Sequence, residues 1–258
     1  MNTIRGAVIF IVLTSTSLLA LPAFAQDNGT LESGSSMSND DTWHGELMPY
    51  FWSAAISGDL TVKNQNVSVN ESFSDLWKYT NLAGSLLGSV SYNNIAAFGE
   101  ADYFSYSSSA LNNPPVSGEV TEKVYIYEAS AGYRFDGDEG RHYDLMAGFR
   151  AMSLHASITL NITPSFYASN TRNVTDAVIM FRSYIPLSAN WSFSPTIDVG
   201  GGQSQLTYEL WPQFQWKIAQ HWLMSFGYRT LYYRTSNDNN EMWHGKFDGV
   251  MIGVGGTW

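Results

Sequence analysis

The chain has no cysteine among its 258 residues, which excludes disulfide bonds and thiolate metal sites. Charged residues are scarce: they make up 14% of the chain, whereas soluble domains carry about 25%. Beyond the amino terminus there is no apolar stretch of the length that a transmembrane helix needs. These absences argue against an ordinary soluble surface and against a helical membrane protein. The formal charge of −10 argues against nucleic-acid binding.

The amino-terminal segment has the three parts of a secretory signal peptide. Arg5 supplies positive charge, an apolar core covers 6–21, and Ala23-Phe24-Ala25 forms an A-x-A cleavage site. We therefore predict a signal peptide over 1–25, cleavage before Gln26, and export. Residues 26–42 are polar and rich in Gly and Ser without any period, which predicts a flexible periplasmic leader.

From Trp43 to Trp258 apolar and polar residues alternate in many segments, and no helical period is visible. Successive side chains of a strand point to opposite faces, so the alternation predicts strands with one apolar and one polar face. The predicted strands are 43–56, 80–93, 94–108, 121–135, 141–156, 174–187, 190–200, 204–218, 221–235 and 245–258. Each is long enough to cross a bilayer when it is tilted.

The connections between these strands alternate in length. The polar stretches 57–79, 109–120 and 157–173 are long, whereas Asn93-Asn94 and Ala219-Gln220 are short turns. Short turns at one end and long loops at the other are typical of an outer-membrane barrel. The sequence therefore predicts an all-β fold: a single up-and-down antiparallel transmembrane barrel over 43–258. Ten strands are expected, or eight if 190–218 is irregular.

Aromatic residues near the strand ends indicate which face meets lipid. Indole rings favour the membrane interface, and two aromatic rims around an apolar band are hard to reconcile with a soluble barrel. Four tryptophans are expected at the short-turn rim: Trp43, Trp191, Trp222 and Trp258. Four tyrosines are expected at the opposite rim: Tyr103, Tyr106, Tyr232 and Tyr233. The apolar parity of each strand is therefore predicted to face outward.

The last nine residues, VMIGVGGTW, resemble the carboxy-terminal strand that the barrel-assembly machinery recognises. Val250, Ile252, Val254 and Trp258 share one parity, and an aromatic residue ends the chain. Such strands usually end in Phe, so Trp258 is a variant of the pattern. The resemblance implies the assembly machinery as a partner during biogenesis.

Four longer segments resemble one uncharacterised family of proteobacterial outer-membrane barrels. They are YDLMAGFRAMSLHA (143–156), IPLSANWSFSPTIDVGGG (185–202), SQLTYELWPQFQW (204–216) and WLMSFGYRTLYY (222–233). They supply a Gly-x-Arg strand, a Pro and Trp turn, an Asp-x-Gly-Gly strand and a Gly-Tyr-Arg strand in the family's order. The chain departs from the pattern at 200–202 and at Tyr208. The resemblance implies a small porin-like barrel in the outer membrane of a Gram-negative bacterium, in contact with lipid and lipopolysaccharide, and it implies no reaction.

With the apolar parity outward, a charged set faces the lumen. The predicted inward acids are Glu46, Glu100, Asp102, Glu128, Asp144, Asp198 and Glu209. The predicted inward bases are Arg134, Arg150, Arg182, Lys217 and Arg229. Charges in a narrow interior must be paired or hydrated, so this set predicts a structural ion-pair network. The alternative is a narrow water-filled path that selects small solutes.

We predict a monomeric barrel, either a narrow channel or a passive surface barrel, with no catalytic residues, metal or cofactor. Two alternatives remain: a lipid-modifying hydrolase and a loop-mediated adhesin or surface antigen. The hydrolase hypothesis depends on the His155-x-Ser157 spacing, for which no third residue to orient the histidine can be named. A separate prediction concerns Pro212: because a proline lacks the N–H that the ladder uses, a bulge or local distortion is expected there.

Overall fold

The computed structural model describes residues 42–62, 65–113, 116–161, 166–236 and 242–258. The predicted signal peptide, its cleavage site and the leader up to residue 41 lie outside these described residues. Within them are fourteen strand segments in one sheet, a short helix α1 (Phe73–Trp77) and a 3-10 turn (Asp138–Gly140). No helix in this part of the chain is long and apolar enough to cross a bilayer.

The strands differ widely in length. In chain order they are β1 (Trp43–Trp52), β2 (Ala55–Val62), β3 (Gln65–Glu71), β4 (Thr80–Tyr92), β5 (Ile95–Asn113), β6 (Val116–Asp136), β7 (His142–Asn161), β8 (Phe166–Pro186), β9 (Trp191–Phe193), β10 (Thr196–Gly202), β11 (Leu206–Trp211), β12 (Gln213–Ala219), β13 (Trp222–Ser236) and β14 (Met242–Thr257).

These segments form a closed antiparallel ring of ten barrel strands. Four barrel strands are each divided into two segments. β1 with β2, β9 with β10, and β11 with β12 each keep one register with a shared neighbour, whereas β3 and β4 are separated by the insertion described below. The ring closes where β1 pairs with β14. The predicted ten-stranded up-and-down barrel is confirmed, and 190–218 contributes two of its strands. The short turns between strands lie at one rim, together with the start of β1 and the end of β14, and we call this rim the turn end. The other rim is the hairpin end.

Two of the predicted long loops are mostly strand. β5 and β6 stay paired up to Asn113 and Val116, and β7 and β8 stay paired up to Leu160 and Phe166. The expectation of open loops at 109–120 and 157–173 is therefore wrong. Backbone pairing needs no apolar face, so two polar strands continue their ladder past the point where alternation ends.

The third polar stretch, 57–79, contains the β2–β3 hairpin and α1. Ile56 pairs with Glu71 of β3, whereas the register of β1 with β4, continued upward, would place Tyr79 opposite Ile56. Residues 72–79 are thus an eight-residue insertion within the path of a single barrel strand. The Ser72 hydroxyl accepts a hydrogen bond from the Asp75 N–H at 3.3 Å and begins α1.

Pro212 divides β11 from β12 but produces no bulge. Leu210 pairs with Thr230 and Gln213 with Gly227, so the register with β13 is unchanged across the proline. The same register places Pro212 opposite Pro195, which lies in the break between β9 and β10. The predicted distortion is limited to one interrupted position in the ladder, and the Pro212 carbonyl still accepts a bond from the Tyr228 N–H at 3.2 Å.

The two faces of the wall have the predicted polarity around this proline. Leu210, Phe214 and Trp216 are exposed on the outer surface, whereas Glu209 and Gln213 are buried inside. The interior is nevertheless not polar throughout. A cluster of buried apolar and aromatic side chains lies inside the barrel, and the partly buried Leu76 of α1 packs against it.

Candidate functional site

The centre of the lumen contains a buried arginine that contacts three carboxylates. Arg229 of β13 donates to Asp102 at 2.8 Å and to Glu209 at 2.7 Å, and it also forms an ion pair with Glu100. Its guanidinium carbon lies 4.4 Å from the ring centre of Trp52 and 4.7 Å from that of Trp211. Aromatic faces stabilise a cation when water is excluded, so these two rings and the carboxylates together hold Arg229 in place.

A second arginine extends the network across the barrel. Arg150 of β7 contacts Glu128 at 2.5 Å and Asp198 at 2.6 Å, and it donates to the Thr207 hydroxyl at 3.1 Å. Glu209 links the two arginines, since its Oε2 also lies 3.5 Å from Arg150. We call this set the central ion cluster; its members are Glu100, Asp102, Glu128, Arg150, Asp198, Glu209 and Arg229.

The central ion cluster holds five carboxyl groups and two guanidinium groups, all buried. Oxygens of Glu100, Glu128 and Glu209 lie within 4.8 Å of one another, a spacing that is compatible with a metal ion. The two arginines already contact all three of these side chains. The arrangement thus pairs the acids with cations supplied by the chain itself, which is the behaviour of a structural network.

An apolar layer lies directly on the hairpin-end side of this cluster. On five strands, the next inward-facing residue in that direction is apolar and buried, and we call these residues the hydrophobic layer: Trp52, Phe104, Ile126, Met152 and Leu231. A layer of this kind offers no polar partner to a passing ion or water molecule. The ion cluster and the hydrophobic layer thus place two sets of buried side chains across the lumen at mid-height.

The turn end of the lumen is open and polar. A cavity of about 940 Å³ extends inward from this rim, and we call it the vestibule. Its charged lining includes Glu46, Arg134, Asp144, Arg182 and Lys217. Arg134 forms a two-pronged contact with Asp144, at 2.7 and 2.8 Å, and donates its remaining terminal nitrogen to Ser91 at 2.8 Å. This pair is therefore satisfied within the wall.

The structure brings the predicted lumen charges together in two groups rather than one. Seven of them form the central ion cluster, and the remaining five line the vestibule. Arg182 is buried there, whereas Lys217 is exposed at the mouth.

The predicted tryptophan rim lies at the turn end, and all four of its side chains are exposed. They are Trp43, Trp191, Trp222 and Trp258. Trp43 stacks on Tyr92 with ring centres 4.8 Å apart, and Trp191 stacks on Trp216 at 5.8 Å.

The predicted tyrosine rim requires a correction. Tyr103 and Tyr232 lie on the outer face, where they pair with Tyr125 and Tyr208 at 4.8 and 4.9 Å. Tyr106 and Tyr233 are instead buried inside the barrel. Tyr232 and Tyr233 are adjacent in one strand, so they cannot share a face. Tyr106 has the parity of Asp102 and Phe104 in the same unbroken strand, opposite to that of Tyr103, and therefore faces inward.

The proposed assembly signal forms an outward stripe on β14. Val250, Ile252 and Val254 are exposed on this face, and Trp258 is exposed at its end. The intervening inward positions of this strand include Gly253 and Gly255, beside which Met48 packs. The last strand is therefore apolar on its outer face, and its inner face includes glycines that leave room for the Met48 side chain.

Sequence reasoning missed several residues of the interior. Tyr50 donates to Asp102 at 2.8 Å and accepts from Arg229 at 2.7 Å, so it belongs to the cluster's hydrogen-bond network. Asp176 is buried and accepts from the Ser204 N–H at 2.6 Å, which fixes the turn between β10 and β11. Strand parity was the available signal, because Asp176 has the parity of Arg182 in the same strand.

The His155 and Ser157 pair lies near the hairpin end, on the outward parity of β7. The His155 Nδ1 atom lies 2.7 Å from the Thr171 hydroxyl oxygen. Within the described part of the chain, no carboxylate hydrogen bond to His155 accompanies this contact. In serine hydrolases the group that orients the histidine is usually a carboxylate, whereas the group beside His155 is the Thr171 hydroxyl.

Comparison with known proteins supports the fold. No family model and no curated protein matches the sequence. The structure is similar to the outer-membrane protease OmpT from Escherichia coli, with 8% sequence identity and a TM-score of 0.54 over 86% of this chain and 99% of that one. It also matches the translocator domain of the autotransporter NalP from Neisseria meningitidis, at 12% identity and a TM-score of 0.43, over 84% and 89% of the two chains. The attachment invasion locus protein Ail of Yersinia pestis matches at 11% identity and a TM-score of 0.38, over 84% and 98%.

Proposed function

We propose that this chain is an integral outer-membrane barrel with a sealed lumen, acting as a structural and surface-presenting protein without catalysis. The observation that carries this proposal is the presence of two adjacent sets of buried side chains at mid-height of the lumen. Seven charged side chains of the central ion cluster are buried, and the hydrophobic layer covers them on the hairpin side. A ten-stranded interior is only slightly wider than one that side chains fill completely.

The outer surface supports the placement in a membrane. An apolar outward face lies between a tryptophan rim at the turn end and the Tyr103–Tyr125 and Tyr208–Tyr232 pairs nearer the hairpin end. Aromatic residues of this kind favour the two membrane interfaces. In this placement the turn end faces the periplasm and the hairpin end faces the cell exterior.

Electrical recording in planar lipid bilayers tests the sealed lumen. The mature chain, refolded and shown to be folded by heat-modifiable migration, should produce no discrete conductance steps. Liposomes that contain it should show no leak of small neutral solutes. Reproducible steps from the folded protein, absent from protein-free bilayers, would replace the sealed barrel with the narrow channel.

The long hairpins favour a second candidate function, in which they act as an adhesin that attaches the cell to other surfaces. From Tyr103 to Asn113 the strand β5 continues for ten residues, about 30 Å along the strand. Cells that express the full chain should adhere to a protein-coated surface more than cells whose chain has 108–120 replaced by a short turn. Equal adhesion at equal surface levels would remove this candidate.

A further inference from the structure

Arg182 differs from the other arginines inside the barrel. Arg134, Arg150 and Arg229 each donate several hydrogen bonds to carboxylates. Arg182 is 7% exposed, yet within the described residues its side chain donates no hydrogen bond to the protein, and its Nε atom is buried without a partner. Its guanidinium stacks on the Phe98 ring at 4.6 Å, which holds it at the vestibule wall.

A carboxylate faces this arginine from the opposite wall. Glu46 is on the first barrel strand and Arg182 is on the sixth of ten, so the two side chains project into the vestibule from opposite sides. No ion pair joins them in the described structure.

Each of the two charged groups has its own neighbour. Phe98 supports Arg182, and the Gln215 side chain donates to Glu46 at 3.5 Å while accepting from Ser192 at 3.4 Å. A buried guanidinium without an anionic or polar partner is costly, since its lost hydration is not replaced. The vestibule therefore presents a positive and a negative group across an open space that reaches the rim.

We propose that Arg182 and Glu46 form a two-ended binding site for a small zwitterionic solute, an amino acid or a short peptide. The solute's carboxylate binds the Arg182 guanidinium, and its ammonium group binds Glu46. Planar guanidinium groups bind carboxylates with two parallel hydrogen bonds. The site opens only to the periplasmic side in the proposed orientation, because the central ion cluster closes its inner end.

The probes are glycine, glycylglycine and triglycine, with acetyl-glycylglycine and glycylglycine amide as singly charged controls. Each is titrated calorimetrically into the folded mature chain in detergent micelles. We expect one of the three zwitterions to bind best, since the best length must match the distance between the two groups. Each singly charged control should bind about tenfold more weakly, the loss expected for one charged contact.

Two substitutions and a matched pair of controls locate the site. Arg182→Gln should weaken binding of both the best zwitterion and acetyl-glycylglycine about tenfold, the value of one charged contact. Glu46→Gln should weaken binding of the best zwitterion about tenfold, again the value of one charged contact. It should leave the affinity for acetyl-glycylglycine unchanged. Arg141→Gln and Glu139→Gln alter an exposed ion pair at the same rim, outside the vestibule lining, and should change nothing.

Two results would overturn the two-ended site. One is the absence of binding to wild-type protein whose heat-modifiable migration shows that it is folded. The other is equal binding of zwitterions and capped peptides, unaffected by either substitution. Neither result bears on the sealed lumen, which conductance tests separately. If Arg182→Gln fails to fold, Arg182→Lys keeps the charge and should retain weaker binding without the two-pronged contact.

Discussion

Gly45 and Trp258 exchange two backbone hydrogen bonds, of 2.9 and 3.1 Å, and so join the first strand to the last residue of the chain. The indole of Trp258 lies over Gly45 and occupies the space that a side chain on this glycine would need. The closing contact of the ring thus combines a backbone pair with an aromatic group at the membrane rim.

A side chain at Gly45 should therefore weaken barrel closure. We expect Gly45→Leu to displace the Trp258 indole and to lower the free energy of unfolding by about 1–3 kcal/mol, the usual cost of overpacking. Urea titration of the folded barrel, read by tryptophan fluorescence, measures this loss. Gly88→Ala is the matched control, since an added methyl group there would meet Leu47 at an ordinary 3.6 Å. Equal effects of the two substitutions would contradict the role of the indole.

Removing Arg229 should destabilise the barrel strongly. Arg229→Met leaves Glu100, Asp102 and Glu209 without this cation, and breaking a buried ion pair costs about 3–5 kcal/mol. The measurement is again the urea midpoint. Lys78→Met, in an exposed pair with Asp75 on α1, should change stability by no more than about 0.5 kcal/mol.

The same cluster predicts non-additive substitutions. Glu209 contacts both arginines, so Glu209→Gln in the wild-type barrel should be destabilising. In the Arg229→Met background it removes a carboxylate that has already lost the nearer of its two cations, so the combined loss should be smaller than the sum of the two single losses by about 1 kcal/mol or more. Strict additivity in the urea-derived free energies would show that the two residues do not act as one network.

The absence of cysteine permits a clean test of orientation. A single Lys78→Cys substitution places a thiol directly after α1, on the side of the hairpin end, and Asp138→Cys places one in the turn-end 3-10 turn. A membrane-impermeant maleimide should label the first on intact cells and the second only after the outer membrane is permeabilised. The reverse labelling pattern would invert the proposed orientation.

Helix α1 should stabilise the packing of the lumen on the side of the hairpin end. Leu76 packs against the interior cluster, next to Phe104 and Tyr106. Leu76→Asp should cost about 2 kcal/mol, because it exchanges partial apolar burial for a poorly hydrated charge. Ser74→Asp, on the exposed side of the same helix, should leave the urea midpoint within about 0.5 kcal/mol of wild type. Equal midpoints for both variants would show that Leu76 does not pack the wall.

Strand number and polarity followed from the sequence because lipid imposes a period of two on every spanning strand. Arg150, Glu209 and Arg229 could be assigned to the lumen by parity alone. Their grouping could not, since parity does not give the height at which strands meet. Tyr106 was assigned to the aromatic rim although it shares the parity of Glu100 and Asp102, and that assignment was wrong.

The sequence also gave no means to foresee the hydrophobic layer. Trp52, Phe104 and Leu231 have the inward parity. The faces were assigned by the difference in polarity between the two sides of each strand, and apolar residues on the inner side reduce that difference and give no signal of their own. The unpartnered Arg182 was likewise invisible, since a lone arginine in a strand carries no sign of whether a carboxylate reaches it.

The eight-residue insertion at 72–79 has a consequence for engineering. Joining Glu71 directly to Thr80 would leave β3 and β4 in one uninterrupted register beside the first strand, so the ring does not depend on those residues for its connectivity. The site is therefore a suitable graft point on the half of the barrel nearer the hairpin end. A foreign epitope or a small folded module spliced there would be displayed from the wall itself, and none of the long hairpins would need to be altered.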